Sequence, residues 1–164
     1  MNQTTTPGVL FVCFGNICRS PSAHGILDKK LLEQGIRTRF KVDSCGTAAI
    51  NLGKEPDARA QTSAFAFGYD ISALRARQIT DDDYRNFSHI IAMDRKNLLH
   101  INSWVPDGFI GNISMMMDHH PKLRRATEIK DPYYSNASEF NTMIPLLEEC
   151  VDGLLQTLRD EYGV

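Results

Sequence analysis

The chain has 164 residues, of which 42% are hydrophobic, and this length suits one domain with a full core better than two. Its formal net charge is −2, which argues against a nucleic-acid binder that relies on a broad basic face. No apolar run is long enough to cross a bilayer, and the opening MNQTTTPG lacks the basic end and apolar middle of a signal peptide. We therefore expect one cytoplasmic domain over residues 1–164, with residues 1–7 as a flexible tail, no nucleic-acid partner and no membrane insertion. The sequence leaves self-association open.

The cysteines are expected to be thiols, because a chain of this size needs no disulfide framework in a reducing compartment. Cys13 and Cys18 have a spacing that zinc sites can use, but no second close pair of Cys or His completes a four-ligand set. We therefore expect no metal. Cys45 and Cys150 are predicted to be core thiols, and the pair His119–His120, which precedes a proline, is predicted to lie in a surface loop.

Strand and helix signals alternate along the chain. Gly8–Phe14 is a continuous apolar run, typical of a strand buried on both faces, and a helix is predicted from Pro21 to Gly35 because apolar residues recur there at helical spacing. The later elements, in chain order, are a strand, a helix, a short capped helix, two strands and a final helix: Phe40–Cys45, Pro56–Phe67, Thr80–Asp83, His89–Met93, Ile113–Met116 and Phe140–Leu158. This rhythm is typical of a parallel sheet with crossover helices.

The final helix has the clearest apolar stripe, and Pro145 lies within that stripe. Proline removes a backbone donor and crowds the preceding turn. The helix should therefore either begin near Pro145 or be kinked there.

The segment between the first strand and the first helix has the composition of a phosphate-binding loop. It reads CFGNICRS and is followed by Pro21. Unpaired N–H groups and the helix dipole meet at such a junction, so an anion can bind there without a metal. Gly15 permits a close approach of the backbone, Asn16 tolerates a left-handed conformation, and Arg19 offers a planar fork to two phosphate oxygens. The predicted phosphate-binding residues are Phe14, Gly15, Asn16, Ile17, Cys18, Arg19 and Ser20.

Cys13 lies at the base of this loop, where the N–H donors, the dipole and Arg19 all favour a thiolate over a thiol. A thiolate is the species that attacks phosphorus, and Ser20 could donate to the sulfur when the intermediate breaks down. The alternative for each residue alone is a buried core cysteine and a nearby surface arginine. Core packing does not require the joint pattern, so we favour the catalytic interpretation.

These residues resemble the low-molecular-weight protein tyrosine phosphatase family through the signature CxGNxCRSP. Five further motifs recur in family order: VDS at Val42–Ser44, GxxPD at Gly53–Asp57, RARQ at Arg75–Gln78, AMD at Ala92–Asp94 and DPYY at Asp131–Tyr134. The resemblance implies a single three-layer α/β domain with a four-stranded parallel sheet and helices on both faces. It also implies hydrolysis of phosphotyrosine through a cysteinyl-phosphate, without cofactor or metal. Tyrosine-phosphorylated proteins are then the substrates, and inorganic phosphate or similar oxyanions bind in the site.

The same resemblance assigns Asp131 as the general acid that protonates the leaving tyrosine oxygen and then activates water. It makes Tyr133 and Tyr134 one wall of the substrate slot. Ile50 occupies the opposite wall, where many family members carry an aromatic residue. This departure leaves the substrate preference open.

Loop support is implied for Asn16, Ser20 and Ser44, and a supporting role behind the site for Asp94, with a polar strand end as the alternative for Asp94. Ala73 lies close to where some relatives carry a histidine linked to the loop serine, so that support is expected to be missing. The resemblance also implies that Cys18 can form a protective disulfide with the nucleophile, with a packing residue as the alternative.

Three competing functions remain. Arsenate reductases of the same fold relay a disulfide through cysteines in their middle region, whereas residues 46–149 here contain none. Relatives that act on phosphoarginine usually carry Thr where this chain has Ile17. A non-catalytic phosphate-binding module would not need Cys13, Arg19 and Asp131 together.

Overall fold

The computed structural model describes residues 5–123 and 127–164. In this part of the chain the main elements, in order, are β1 (Gly8–Cys13), α1 (Arg19–Glu33), β2 (Lys41–Gly46), α2 (Ala58–Ala66), α3 (Asp81–Asn86), β3 (His89–Ala92), α4 (Arg95–Ser103), β4 (Asn112–Met115) and α5 (Ala137–Tyr162). Short 3-10 turns lie at Arg37–Arg39 and Met116–His119.

The four strands form one parallel sheet in the order β2-β1-β3-β4. β1 lies between β2 and β3 and is buried at every position. Cys13 at its end pairs in register with Gly46 at the end of β2. The carboxyl ends of both strands therefore open at the same edge of the sheet, which is where ligands bind in open parallel sheets.

Helices cover both faces of the sheet, as predicted. Alternate residues of β1, such as Phe11, pack with α1, α2 and α5, and the intervening residues, such as Leu10, pack with α3 and α4. The larger core lies on the α1 and α5 face, where Phe140 and the apolar stripe of α5 are fully buried. The expected three-layer α/β fold is confirmed.

The predicted elements agree with the structure apart from their ends. Thr80 and Asp83 form the expected capping box at the start of α3. The last helix begins at Ala137, so Pro145 lies in its interior rather than at its start. The 3-10 turns and α4 had no prediction. Asp94 caps α4 by accepting a hydrogen bond from the backbone N–H of Asn97 at 2.8 Å.

The prediction that His119 and His120 lie in a surface loop is wrong for His120, which is buried. His119 ends the 3-10 turn, and its Nε2 lies 2.8 Å from the Ser114 hydroxyl. His120 is buried, its Nε2 is 2.6 Å from Glu149 Oε2, and its Nδ1 accepts a backbone hydrogen bond from Leu123. Glu149 lies on α5, 29 residues from His120, so the local sequence did not reveal this partner.

Pro7, just before β1, is hydrogen-bonded to the start of β2: its carbonyl accepts the Lys41 N–H at 2.8 Å. Residues 1–4, the larger part of the predicted tail, lie outside the described residues. Across residues 5–123 and 127–164, no helix is both long and apolar enough to span a membrane.

Candidate active site

The loop that follows β1 is wrapped around the sulfur of Cys13. Asn16 adopts φ 56°, the left-handed conformation predicted for it, and its backbone N–H points at Cys13 Sγ at 3.3 Å. The loop is also held from the β2 side, because Thr47 N–H donates to the Cys13 carbonyl at 2.9 Å and Ala48 N–H donates to the Phe14 carbonyl at 3.0 Å. The start of the loop is therefore held by the two residues that follow β2.

Arg19 is buried at the first position of α1, and its guanidinium has fixed partners. Its Nη1 donates to Asp94 Oδ2 at 2.6 Å and to the Ile129 carbonyl at 2.9 Å. Burial disfavours its charge, but Cys13 and Asp94 outweigh that effect and raise the pKa of Arg19. The group therefore remains a cation beside the sulfur, and Asp94 orients it.

A chain of side-chain hydrogen bonds supports the sulfur from behind. Ser20 Oγ lies 3.0 Å from Cys13 Sγ. Asn16 Nδ2 donates to Ser20 Oγ at 2.8 Å and to Ser44 Oγ at 3.2 Å. The three residues expected to support the loop are thus in contact with one another, and Arg77 N–H completes the set by donating to Asn16 Oδ1 at 3.0 Å.

Sequence reasoning missed His24, which extends this chain. His24 is buried on α1, and its Nδ1 lies 3.2 Å from Ser44 Oγ. His24 lies on α1, whereas the histidine of some relatives was expected near Ala73. In the sequence, His24 is one of several polar residues of an amphipathic helix, so no motif or spacing predicted its contact with Ser44.

Asp131 lies beside the loop and is part of the same pocket. Its Oδ2 is 3.7 Å from Arg19 Nη2, and its Oδ1 accepts the backbone N–H of Tyr133 at 3.1 Å. The carboxylate is partly exposed, with 39% of the side chain accessible. A group that faces both the arginine and solvent can reach a leaving-group oxygen and then a water molecule.

The pocket has a volume of about 120 Å³, and both predicted walls line it. Tyr133 and Tyr134 lie on one side, with ring centroids 4.9 Å apart in an edge-to-face arrangement. Ile50 also lines the pocket and is 62% exposed. Asn51, which was not predicted, also lines the pocket and donates to the Gly15 carbonyl at 3.1 Å.

The remaining cysteines differ from Cys13 in their surroundings. Cys18 lines the pocket, and burial together with nearby Asp57 raises its pKa well above the usual range. Burial also raises the pKa of Cys45, and that of Cys150 to about 12. Cys45 and Cys150 are fully buried, as predicted, and both remain protonated thiols at neutral pH.

Two residues that were not predicted to belong to the site, Asp57 and Gly46, also contact the phosphate-binding loop. Asp57 N–H donates to the Ile17 carbonyl at 2.7 Å, which joins the start of α2 to the loop. Gly46 lies against the loop backbone, where a Cβ atom would be 2.7 Å from the Phe14 carbonyl oxygen.

No group of three or more His, Cys, Asp or Glu side chains in the described ranges is arranged to hold a metal ion.

Comparison with known proteins shows the family of the chain. A sequence model described as low molecular weight phosphotyrosine protein phosphatase matches residues 8–163. The chain belongs to this family. It is 35% identical over 158 residues to the human low molecular weight phosphotyrosine protein phosphatase, covering 95% of this chain and 98% of the human one.

Solved structures of the family superpose over nearly the whole fold. A protein tyrosine phosphatase from Entamoeba histolytica, crystallised with Hepes in its active site, has a TM-score of 0.89 and 30% identity over 95% of this chain and 99% of its own. A Drosophila arginine phosphatase has a TM-score of 0.83 and 30% identity, covering 92% of this chain and 97% of its own. The expected family and fold are thereby confirmed.

Proposed function

We propose that the protein hydrolyses phosphotyrosine in proteins through a cysteinyl-phosphate intermediate, with Cys13 as the nucleophile. The observation that carries this proposal is the convergence of three groups on one pocket. Cys13 Sγ faces the Asn16 N–H at 3.3 Å, and Arg19 Nη2 lies 3.7 Å from Asp131 Oδ2. A thiolate, a fixed cation and a carboxyl group are the parts that phosphoryl transfer to sulfur requires.

In the first step the Cys13 thiolate attacks phosphorus, and the bond from phosphorus to the tyrosine oxygen breaks. Asp131 gives its proton to that oxygen, because a phenolate with a conjugate-acid pKa of about 10 leaves poorly without one. Arg19 and the loop amides Phe14 to Ser20 hold the equatorial oxygens of the phosphoryl group.

In the second step Asp131 takes a proton from water, and the water oxygen attacks phosphorus. The bond from phosphorus to sulfur breaks, and the thiolate returns as phosphate leaves. The Ser20 hydroxyl, 3.0 Å from the sulfur, stabilises the departing thiolate by donating to it. Asn16 and Ser44 hold Ser20 in place for this donation.

The substrate of this proposal is a tyrosine-phosphorylated protein, with inorganic phosphate and similar oxyanions as competing ligands. The tyrosine ring would pack against Tyr133 and Tyr134, with Ile50 opposite. Ile17 lines the pocket. Relatives that act on phosphoarginine usually carry Thr at this position, so the resemblance favours phosphotyrosine. The likeness to the Drosophila arginine phosphatase makes phosphoarginine the second candidate.

The deciding experiment measures turnover of phosphotyrosine, phosphoserine and phosphoarginine peptides, and of arsenate with thioredoxin, by chelator-treated enzyme. We expect phosphotyrosine to be cleaved fastest, Cys13→Ser to abolish turnover, and Asp131→Ala to slow it by about 100-fold or more. Faster turnover of phosphoarginine would replace the substrate assignment. Full activity of Cys13→Ser would overturn the mechanism.

A redox response is part of the proposal. Peroxide would oxidise the Cys13 thiolate to a sulfenic acid, and Cys18 sulfur would displace hydroxide from it to form a disulfide. The raised pKa of Cys18 makes this displacement slow, because the thiol must first lose its proton. We expect inactivation that dithiothreitol reverses in the wild type and does not reverse in Cys18→Ser. Peptide maps with sulfinic Cys13 and no Cys13 to Cys18 bond would refute it.

We also infer one domain over residues 1–164 with a flexible tail at residues 1–7, and a cytoplasmic location. The four cysteines are free, and a thiolate nucleophile needs a reducing compartment. Cell fractionation tests the location, and limited proteolysis tests the tail, with cleavage expected before Gly8.

A further inference from the structure

Residues 131–135, called the acid loop, are joined to the phosphate-binding loop by an arginine that the proposed mechanism does not use. Arg59, in the first turn of α2, donates from Nη2 to the Tyr133 carbonyl at 2.9 Å and from Nη1 to the Ser135 carbonyl at 3.1 Å. Both acceptors lie just after Asp131. One guanidinium therefore holds two backbone groups of the segment that carries the acid.

The other edge of the guanidinium is fixed by Asp57. Arg59 Nε lies 3.0 Å from Asp57 Oδ1, and Nη2 lies 2.9 Å from Oδ2, so the pair is bidentate. Burial works to raise the pKa of Asp57, but hydrogen bonds from Arg59 outweigh it and lower the pKa. Asp57 is therefore a carboxylate that fixes the plane of the arginine.

Asp57 is in turn tied to the phosphate-binding loop. Its backbone N–H donates to the Ile17 carbonyl at 2.7 Å, and its side chain caps α2 by accepting the Arg59 N–H at 2.8 Å. Asp57, which holds Arg59, is thus hydrogen-bonded to the loop that holds the phosphate.

Aromatic rings complete the setting of Arg59. Its guanidinium carbon lies 4.6 Å from the ring centre of the fully buried Phe140 and 5.6 Å from that of Tyr133. Tyr133 also donates its N–H to Asp131 Oδ1 at 3.1 Å. A continuous set of contacts therefore runs from Ile17 through Asp57, Arg59 and Tyr133 to the carboxyl group of Asp131.

We propose that Arg59 is a positioning residue that sets the distance between the acid loop and the bound phosphoryl group, so that the Asp131 proton reaches the leaving oxygen. This inference rests on the proposed function. Arg59 itself does not touch the phosphate, which Arg19 and the amides hold. Its loss should therefore weaken proton donation and leave oxyanion binding intact.

The test compares kcat/KM for two esters, because this constant reports the steps up to loss of the phenol. Phenyl phosphate releases a phenol with a pKa of about 10 and needs the proton, whereas dinitrophenyl phosphate releases a stable phenolate and does not. Arg59→Met keeps an apolar stem and removes the five donors. We expect a loss of about 10- to 100-fold on phenyl phosphate, less than about threefold on dinitrophenyl phosphate, and an unchanged inhibition constant for inorganic phosphate.

Two further variants keep the test decisive if Arg59→Met folds poorly. Arg59→Lys keeps the charge but not the planar fork, so an intermediate loss on phenyl phosphate is expected. Asp57→Asn keeps a capping oxygen and weakens the bidentate pair, and a smaller loss in the same direction is expected. The control is Arg85→Met, which removes an exposed arginine whose partner is Asp82. It should change neither kcat/KM for the two esters nor the inhibition constant for inorganic phosphate.

Equal losses on both esters, weaker phosphate inhibition, or full activity of Arg59→Met would overturn the inference. Asp131→Asn separates this failure from failure of the proposed function. If Asp131→Asn loses activity selectively on phenyl phosphate and Arg59→Met does not, the positioning role alone is wrong. If wild type turns over neither ester, or Asp131→Asn does not distinguish the two, the assigned acid chemistry is wrong.

Discussion

Nδ1 of His24 lies 3.2 Å from Ser44 Oγ, and both side chains are buried behind the phosphate-binding loop. On its other side, His24 Nε2 is 3.6 Å from Asp28 Oδ2. Ser44 contacts Asn16, which donates to Ser20, the residue beside the sulfur of Cys13. The imidazole is therefore at the outer end of a chain of hydrogen bonds that orients the hydroxyl next to the nucleophile.

Replacing His24 should disturb the nucleophile without touching the phosphate. His24→Leu leaves Ser44 without one partner, and we expect an unfolding free energy lower by about 1–3 kcal/mol and a kcat lower by about 3- to 10-fold. His24→Asn places an amide near the position of Nδ1 and should recover part of both losses. The measurements are denaturant unfolding, steady-state kinetics and the rate of Cys13 alkylation by iodoacetate. An alkylation rate equal to that of wild type in His24→Leu would show that the chain does not reach the sulfur.

Gly46 should be intolerant of even one added carbon. A Cβ atom there would lie 2.7 Å from the Phe14 carbonyl oxygen and 3.3 Å from the Asn16 backbone nitrogen, both in the phosphate-binding loop. Since backbone cannot give way cheaply, Gly46→Ala should shift the loop. We expect phosphate inhibition weaker by about 10-fold or more and a stability loss of about 1–3 kcal/mol.

Gly25→Ala is the matched control for Gly46→Ala. Its Cβ atom would lie 2.5 Å from Ile71 Cγ2, so the crowding is similar but falls on a core side chain away from the loop. A stability loss with normal phosphate inhibition is expected. If both variants bind phosphate equally well, Gly46 has no special role at the loop.

The parts of the site that lie close together in sequence were predictable from the residues themselves, and the family resemblance added Ser44, Asp94 and Asp131 from other elements. His24 and Arg59 were not predicted. The residue types of the adjacent positions Cys13–Ser20 were enough to predict a phosphate-binding loop. The apolar run of β1 identified the strand that precedes it. His24 and Arg59 act through partners on β2 and on the segment after Asp131. Which face of a helix meets which neighbour depends on packing, so composition and spacing could not reveal these contacts.

The same reason explains the wrong assignment of His120. A dipeptide His119–His120 before proline is typical of an exposed turn, yet His120 is buried by α5 and meets Glu149. Local pattern predicted the wrong burial because the partner lies on another element. By contrast, the stripe of α5 was long enough to predict both the helix and its buried face.

His89 should make the stability depend on pH. It is buried at the start of β3, with Nε2 3.0 Å from the Tyr162 hydroxyl, and burial lowers its pKa from 6.5, with Glu161 partly opposing the shift. Because the pKa is lower in the folded state, the unfolded chain binds more protons just below pH 6.5. Stability is therefore fully present above that pH and is lost as pH falls toward the folded pKa.

Denaturant unfolding at several pH values between 7.5 and 5 tests this prediction. The slope of unfolding free energy against pH should be smaller in His89→Gln than in wild type, because glutamine does not titrate and keeps a nitrogen near the position of Nε2. The absolute stability of His89→Gln is expected to be lower, since the ring contact with Tyr162 is lost. Identical slopes in the two proteins would mean that groups other than His89 cause the loss of stability at acidic pH.

Ile50 offers a direct test of how the pocket selects its substrate. It is 62% exposed and lines the same pocket as Tyr133, so under the proposed function a bound phenyl ring would meet an aliphatic side chain there. Ile50→Trp would supply an aromatic face, and such pairs contribute about 0.5–1.5 kcal/mol beyond buried area. We therefore expect kcat/KM for phosphotyrosine peptides to rise by about 2- to 10-fold.

The control for Ile50→Trp is an alkyl or arginine phosphate, whose leaving group has no ring to stack. Turnover of those substrates should be unchanged or lower in Ile50→Trp, so the ratio of phosphotyrosine to phosphoarginine turnover should increase. Ile50→Ala should lower phosphotyrosine turnover slightly and leave inorganic phosphate inhibition unchanged, because the anion contacts only the loop and Arg19. A parallel rise for all three substrates would mean that the tryptophan acts on the loop rather than on the ring of the substrate.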